Sequence, residues 1–172
     1  ERAPSVFLDS KKEQMLFLYR NSFKTLDDLN QSELRLGGLR INPQTNISST
    51  ITYYNNLKYK RISDKEVSQI NGLPANPNIA HTSLSPDETK LAFTHTSQNG
   101  VELWLADLRT LNAKKIENIV LNANAGFPYT WFRDGSAILV RTIPANAQPL
   151  IDTQKALPEG PIVSTSDGQI SQ

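Results

Sequence analysis

The sequence contains no cysteine, which excludes disulfide frameworks, thiolate metal sites and cysteine nucleophiles together. Only two histidines, His81 and His95, are available for acid–base or metal chemistry. No apolar run approaches the roughly 18 residues needed to span a bilayer. Neither sign of charge dominates, with 18 Lys and Arg against 17 Asp and Glu. A dedicated nucleic-acid binder, which needs a local basic surplus, is therefore not expected. None of the eight glycines opens a Gly-x-Ser-x-Gly nucleophile elbow. Phosphate loops, dinucleotide fingerprints and calcium loops are missing too, so no cofactor is expected. The chain opens with Glu1-Arg2-Ala3-Pro4 rather than with Met, a basic region and an apolar core. An export signal already removed is the expectation.

What the sequence does contain is a repeated turn. Three windows share a large apolar residue, a polar turn and a second apolar run: Leu8-Asp-Ser-Lys-Lys-Glu-Gln-Met-Leu-Phe17, Leu84-Ser-Pro-Asp-Glu-Thr-Lys-Leu-Ala-Phe93 and Trp131-Phe-Arg-Asp-Gly-Ser-Ala-Ile-Leu-Val140. Pro86 presets φ at a turn corner, and Asp87 and Asp134 can bond their own backbone. These two aspartates hold one register, whereas Lys11 stands in that place in the first copy. Leu91 and Ile138 lie 47 residues apart, and Met15 and Leu91 lie 76 apart, so the first unit carries an insertion. A period in the forties with strand content predicts an all-β fold, a partial β-propeller of four-stranded antiparallel blades.

The middle unit reads strand by strand, with strands over residues 78–83, 90–96 and 101–108 and a charged outer strand at 114–117. Ser97-Gln-Asn-Gly100 reads as a hairpin turn. In the third strand apolar residues fall on both faces, as burial between neighbouring sheets requires. Within the insertion, Thr25-Leu-Asp-Asp28 has the form of a helix start. Leu26, Leu29, Leu34 and Leu36 are expected on one helical face, stopped by Gly37-Gly38. Residues 49–61 and 66–70 read as further strands. Lys58-Tyr59-Lys60-Arg61, the densest basic cluster, alternates as a solvated strand face would. Residues 1–143 are therefore assigned to an incomplete propeller of two to three units. Residues 144–172, broken by Pro144, Pro149, Pro158 and Pro161, are assigned to an extended linker or arm.

Candidate chemistry is sparse. His81 and His95 fall in predicted strands where they can be neighbours, but no third metal ligand stands at a suggestive spacing, so they are read as structural. Asp87, Asp107 and Asp134 are explained by turns, Asp27, Asp28 and Glu33 by a helix start or by solvent. Trp104 and Trp131 are read as core anchors. Asn30-Gln-Ser32 and Asn46-Ile-Ser48 match the glycosylation sequon, which a chain rich in Asn, Ser and Thr produces by chance.

With these motifs placed, the chain resembles the prolyl oligopeptidase family of serine peptidases. The resemblance is carried by Leu34-Arg-Leu-Gly-Gly-Leu-Arg-Ile-Asn-Pro43, Gly72-Leu-Pro-Ala-Asn-Pro77, Val101-Glu-Leu-Trp-Leu-Ala-Asp107, Leu121-Asn-Ala123 and Thr142-Ile-Pro-Ala145. It is similar to the glutamyl endopeptidase-like and dipeptidyl aminopeptidase-like branch, from about Pro4 to Pro161. The resemblance implies an N-terminal propeller that gates and orients peptides for a C-terminal α/β-hydrolase domain carrying the Ser-Asp-His triad. It also implies a periplasmic or secreted location, ahead of a plastid one. Every triad position would lie outside this sequence, so no catalytic residue is assigned. Arg40 and Arg133 are the candidates for orienting substrate, with surface charge or turn support as the other reading. Expected partners are the hydrolase domain, the remaining blades and peptide substrates, with self-association through open sheet edges. A non-catalytic propeller-like binding module and a self-contained β-sandwich remain open as alternatives.

Overall fold

The computed structural model describes residues 2–148 and 150. Most of the proposed arm at 144–172 therefore lies outside the described residues. Thirteen strands follow in order: β1 Ser5–Leu8, β2 Gln14–Tyr19, β3 Leu34–Leu36, β4 Leu39–Asn42, β5 Ile47–Ser48, β6 Asn56–Arg61, β7 Ser68–Gln69, β8 Ile79–Leu84, β9 Lys90–Ser97, β10 Gly100–Asp107, β11 Asn112–Lys115, β12 Tyr129–Trp131 and β13 Ile138–Val140. The fold is all-β, with a single helical turn among the described residues, α1 at Leu26–Leu29.

Two four-stranded sheets dominate, with strand orders β1-β2-β6-β7 and β8-β9-β10-β11, and every neighbouring pair is antiparallel. Each is a meander, and in the first the meander is interrupted between its second and third strands. That interruption holds α1 and the three-stranded sheet β3-β4-β5, which accounts for the longer spacing of the first repeat. The pair β12–β13 begins a third unit.

In β2 and β6 burial follows the two-residue period of a strand, whereas β9 is buried from Leu91 to Thr96. In β6, Leu57 and Tyr59 are buried while Lys58 and Lys60 turn outward. The Lys58 ammonium lies 5.1 Å from the centre of the Tyr19 ring. Along β10, Trp104, Ala106 and the following Leu108 join one core with Leu16, Leu18, Leu57, Ile79, Leu91 and Phe93. Val101, Leu103 and Leu105 join a second with Ile47, Ala92, Leu121 and Tyr129. The second sheet is thus packed on both faces. Phe93, fully buried and stacked on Trp104 at 6.2 Å, anchors the first core, and a large-to-Ala change at such a site costs about 3–5 kcal/mol.

The three repeated turns share one hydrogen-bond pattern. Asp9, Ser85 and Phe132 each donate N–H to the carbonyl five residues on, that of Gln14, Lys90 or Ala137. Their own carbonyls accept from Lys12, Glu88 and Gly135. These three residues adopt left-handed φ values of 59°, 57° and 71°. Every copy of the turn joins the first and second strands of its unit.

The insertion differs from its sequence reading. Leu34 and Leu36 belong to strand β3, not to a helix, and α1 is one turn with Leu26 and Leu29 exposed. Gly37 and Gly38 both take positive φ, 54° and 81°. They form the two-residue corner of a hairpin closed by Leu36 and Leu39, which is the conformation a tight primed turn demands. The strand read over 49–61 begins at Asn56, and the outer strand of the second unit is Asn112–Lys115 rather than 114–117. The predicted hairpin at Ser97 and Gly100 is present, the two residues being paired across Gln98 and Asn99.

Neighbouring units share buried cores between their sheets and also touch near their first strands. The Tyr129 hydroxyl donates to the carbonyls of Ala92, at 2.9 Å, and His81. The Trp131 indole donates to the Ser83 carbonyl at 3.4 Å. Phe7 and Leu8 of β1 face Thr82, Ser83 and Leu84 of β8 across a small apolar cavity. The link from β7 to β8 runs along β11. There Gly72 (φ 69°) leaves no room for a side chain, since a Cβ would sit 2.5 Å from the Ala113 carbonyl oxygen.

Candidate functional site

The turn aspartates act as predicted. Asp87 accepts from the Ser85 and Thr89 hydroxyls at 2.6 and 2.8 Å and from the Thr89 N–H. These bonds hold its carboxyl at about 2. Asp134 accepts from the Ser136 N–H and hydroxyl at 3.0 and 2.7 Å, and Asp107 from the Arg109 and Thr110 N–H groups at 2.8 and 2.9 Å. In the first turn the carboxylate has moved to Asp9, which accepts from the Glu13 and Gln14 N–H groups at 2.7 and 3.0 Å.

Arg40 and Arg133 are not brought together. Arg40 lies on β4, where its Nε donates to Glu33 at 2.9 Å, and Arg35 binds the other Glu33 oxygen at 3.0 Å. With the Ser49 hydroxyl as the strongest contributor, followed by Arg40 and Arg35, the Glu33 carboxyl is held at about 2. Arg133 is exposed in the third turn.

The histidines are not cross-strand neighbours. His95 pairs with Ile79, and a bulge between Ala80 and Ser83 takes His81 out of register, with φ at 46°. His81 Nδ1 lies 3.1 Å from the Thr94 hydroxyl. Burial, aided by the Arg141 charge, depresses its pKa to about 4. His95 Nδ1 accepts from the Asn78 N–H at 3.1 Å, which places any ring proton of the neutral form on Nε2. Burial lowers its pKa as well. Among the described residues, no group of three His, Asp or Glu side chains is placed to hold a metal ion. Trp104 lies against Phe93 and donates to Glu102 at 3.0 Å; Lys115 pairs with the same carboxylate at 3.0 Å.

Two clefts remain. One, of about 660 Å³, opens beside the repeated turns and carries mixed charge from Lys12, Glu13, Arg61, Asp87, Glu88 and Arg109. The other, of about 620 Å³, lies between the insertion and the second sheet. Its insertion wall includes Gln31, Asn42, Gln44, Thr45 and Tyr53; its sheet wall includes Asn76, Asn78, His95, Thr96 and Gln98. The walls are tied by Tyr54 and Ile79, which exchange two N–H···O bonds of 2.8 Å. Among the described residues, no Asp, Glu, Lys or Arg lines this cleft. A smaller cavity shares Gln31, Tyr53 and Asn78 with it and adds Arg2, Arg20 and Lys24. The Arg20 Nε is buried without a hydrogen-bond partner.

Reading the sequence did not single out this second cleft. Its amides and hydroxyls are scattered from Gln31 to Gln98, and only the placement of the insertion beside β8 and β9 gathers them. The Asn and Gln residues of those segments carried no sequence signal that distinguishes a cleft lining from ordinary polar loops.

No protein-family model matches the chain. It is similar to two plant proteins described as probable chloroplastic glutamyl endopeptidases. The Arabidopsis thaliana protein is 31% identical over 155 residues, which is 83% of this chain and 16% of the relative. The Oryza sativa subsp. japonica protein is 26% identical over 179 residues, which is 95% of this chain and 19% of the relative. The chain thus spans less than a fifth of the curated relatives it matches, and its relationship to peptidases is a distant one.

Proposed function

We propose that this chain is the N-terminal β-propeller portion of an exported serine peptidase of the prolyl oligopeptidase family, on its glutamyl endopeptidase-like branch. In this reading residues 1–143 form two to three blades, and residues 144–172 lead toward the rest of the polypeptide. The blades gate and orient peptides for an α/β-hydrolase domain carried elsewhere in the same protein. The observation that carries the reading is the similarity of most of the chain to under a fifth of a peptidase. The matched piece contains no Gly-x-Ser-x-Gly, so the chemistry would belong to the remainder.

The geometry is of the kind this reading needs. Two antiparallel four-stranded meanders pack against each other, a third unit begins after them, and β12 bonds to both β8 and β9. Successive four-stranded meanders that share cores between their faces are of the kind that propeller blades form. The cavity lined by Arg2, Arg20 and Lys24 has the charge an acidic peptide residue would favour. Arg40, held by Glu33, is less available for such a contact than Arg20.

The gene tests this. Several hundred further codons after Gln172 that encode a Gly-x-Ser-x-Gly elbow support a peptidase. A stop codon there supports a non-catalytic binding module instead. The same reading frame, followed upstream of Glu1, shows whether an export leader precedes it.

A further inference from the structure

We infer that the face of the first sheet turned away from the second is a docking surface for a further four-stranded sheet of the same repeat, one that brings carboxylates opposite Lys58 and Lys60. The inference rests on the propeller reading above for placing that sheet in the same polypeptide. The repeat itself shows that the face is built to be covered. Leu91 and Phe93 of the second unit, and Ile138 and Val140 of the third, hold equivalent places after their turns. Leu91 and Phe93 are buried in the core shared with the first sheet, and Ile138 and Val140 pack on the core shared with the second. In the first unit those places belong to Met15 and Phe17, which alternate with the buried Leu16 and Leu18 and join neither core. Val6, the cross-strand partner of Phe17, is 50% exposed. Apolar side chains thus stand open on this face where both later units have a preceding sheet against them.

The chemistry of the covering sheet follows from the same register. On β6, Lys58 pairs with Phe17 and Lys60 with Met15, so both lysines stand on this face. At the corresponding places of the second sheet, Trp104 pairs with Phe93 and Ala106 with Leu91, and both join the shared core. The first sheet therefore presents an apolar half along β1 and β2 and a basic half along β6. Among the described residues neither ammonium has an ion pair. Lys58 lies over the Tyr19 ring, and Lys60 reaches the Lys65 carbonyl at 3.5 Å. An apolar sheet laid over them would strip their water without supplying a counter-ion. A sheet with Asp or Glu on its third strand supplies one. A second copy of this chain would have to present the opposite end of the array, where Leu139 stands 65% exposed at the place of the buried Leu16 and Ala92. The two strands described there, β12 and β13, carry no carboxylate, and would leave the lysines unpaired.

The test compares the full-length parent protein with the 172-residue chain. Met15 is the only methionine of the chain and reports on the face. Peroxide should oxidise it at least about fivefold more slowly in the parent, because oxidation follows exposure. Carbodiimide cross-linking of the parent should join Lys58 or Lys60 to an Asp or Glu of a further repeat beyond Gln172. Mixing isotopically light and heavy protein should show that the link lies within one molecule. Lys58→Glu combined with Lys60→Glu should return Met15 oxidation in the parent toward the rate of the isolated chain. Lys58→Arg combined with Lys60→Arg should keep it protected. Equal oxidation in the two proteins, cross-links to a peptidase domain or between copies, or protection that survives the charge reversal would each overturn the inference. An active peptidase whose Met15 is as open as in the isolated chain would leave the proposed function standing without this surface. Protection and repeat cross-links in a parent with no peptidase activity would do the reverse.

Discussion

Ser10 and Glu88, 78 residues apart, close the gap between two equivalent turns: the Ser10 N–H and hydroxyl donate to the two carboxylate oxygens of Glu88 at 2.7 and 2.9 Å. A Cβ on Gly135 of the third turn would lie 3.6 Å from Pro86 of the second. The three turns therefore form a contiguous row along one end of the molecule. That row is the physical form of the repeat seen in the sequence.

The link should be measurable as coupling. Ser10→Ala is expected to lower stability by roughly 0.5–1 kcal/mol, the net worth of an exposed hydrogen bond. The loss should vanish in a Glu88→Ala background. Urea denaturation of the two single variants and the double variant measures the term.

Backbone strain at the turns gives a second expectation. Lys12 holds φ at 59° where the third turn has Gly135 at 71°. A non-glycine residue in this region costs about 1 kcal/mol or somewhat more. Lys12→Gly should therefore stabilise the fold by up to about 1 kcal/mol, less its added chain entropy. Gly135→Ala should destabilise it by about the same amount. Equal midpoints in denaturant for all three proteins would contradict this.

Acid stability should fall in two stages. His81 has a folded pKa near 4 against an ordinary 6.5, so the unfolded chain takes up this proton first. Stability is then lost as pH falls from about 6.5 to about 4. Asp87 and Glu33 have folded values near 2 against ordinary values of 3.8 and 4.5. Their contribution is present above the ordinary values and lost as pH falls toward 2. His81→Gln should flatten the upper stage and spare the lower, while Asp87→Asn should do the opposite. His95, also depressed by burial, keeps part of the upper stage in the His81 variant. The check is the unfolding free energy at intervals from pH 7 to pH 3.

The first strand should drive association of the isolated chain. β1 is an edge strand, and Val6, Phe7 and Leu8 on it are 50%, 48% and 50% exposed. An exposed apolar edge templates pairing with another copy, and a lysine there blocks it. Light scattering should show concentration-dependent growth that Phe7→Lys suppresses. A compact, stable monomer at high concentration would count against open blades.

The repeat was legible because turn chemistry is local. Pro86, Asp87 and Asp134 declare their conformations within five residues, and Ser97 to Gly100 declares a hairpin in four. The insertion was not, because Gly37-Gly38 serves equally as a helix stop or a hairpin corner. The spacing of Leu34 and Leu36 is too short to separate a strand from a helical face. The histidines show a different limit. A bulge at Ala80 shifts register by an amount that alternation of side chains cannot reveal, so His81 and His95 part company. The cleft was least visible. Its lining, drawn from Gln31 to Gln98, comes together only in the packed chain.

The central claim is that this chain serves a peptidase without carrying its chemistry. The most direct measurement compares the full-length parent protein with the 172-residue chain on a panel of fluorogenic peptides and on a stable folded protein. The account predicts that the parent cleaves the peptides and spares the folded protein, and that the 172-residue chain cleaves neither. Turnover by the chain alone would contradict it. So would a parent that leaves every peptide intact, or one that digests the folded protein as fast as the peptides.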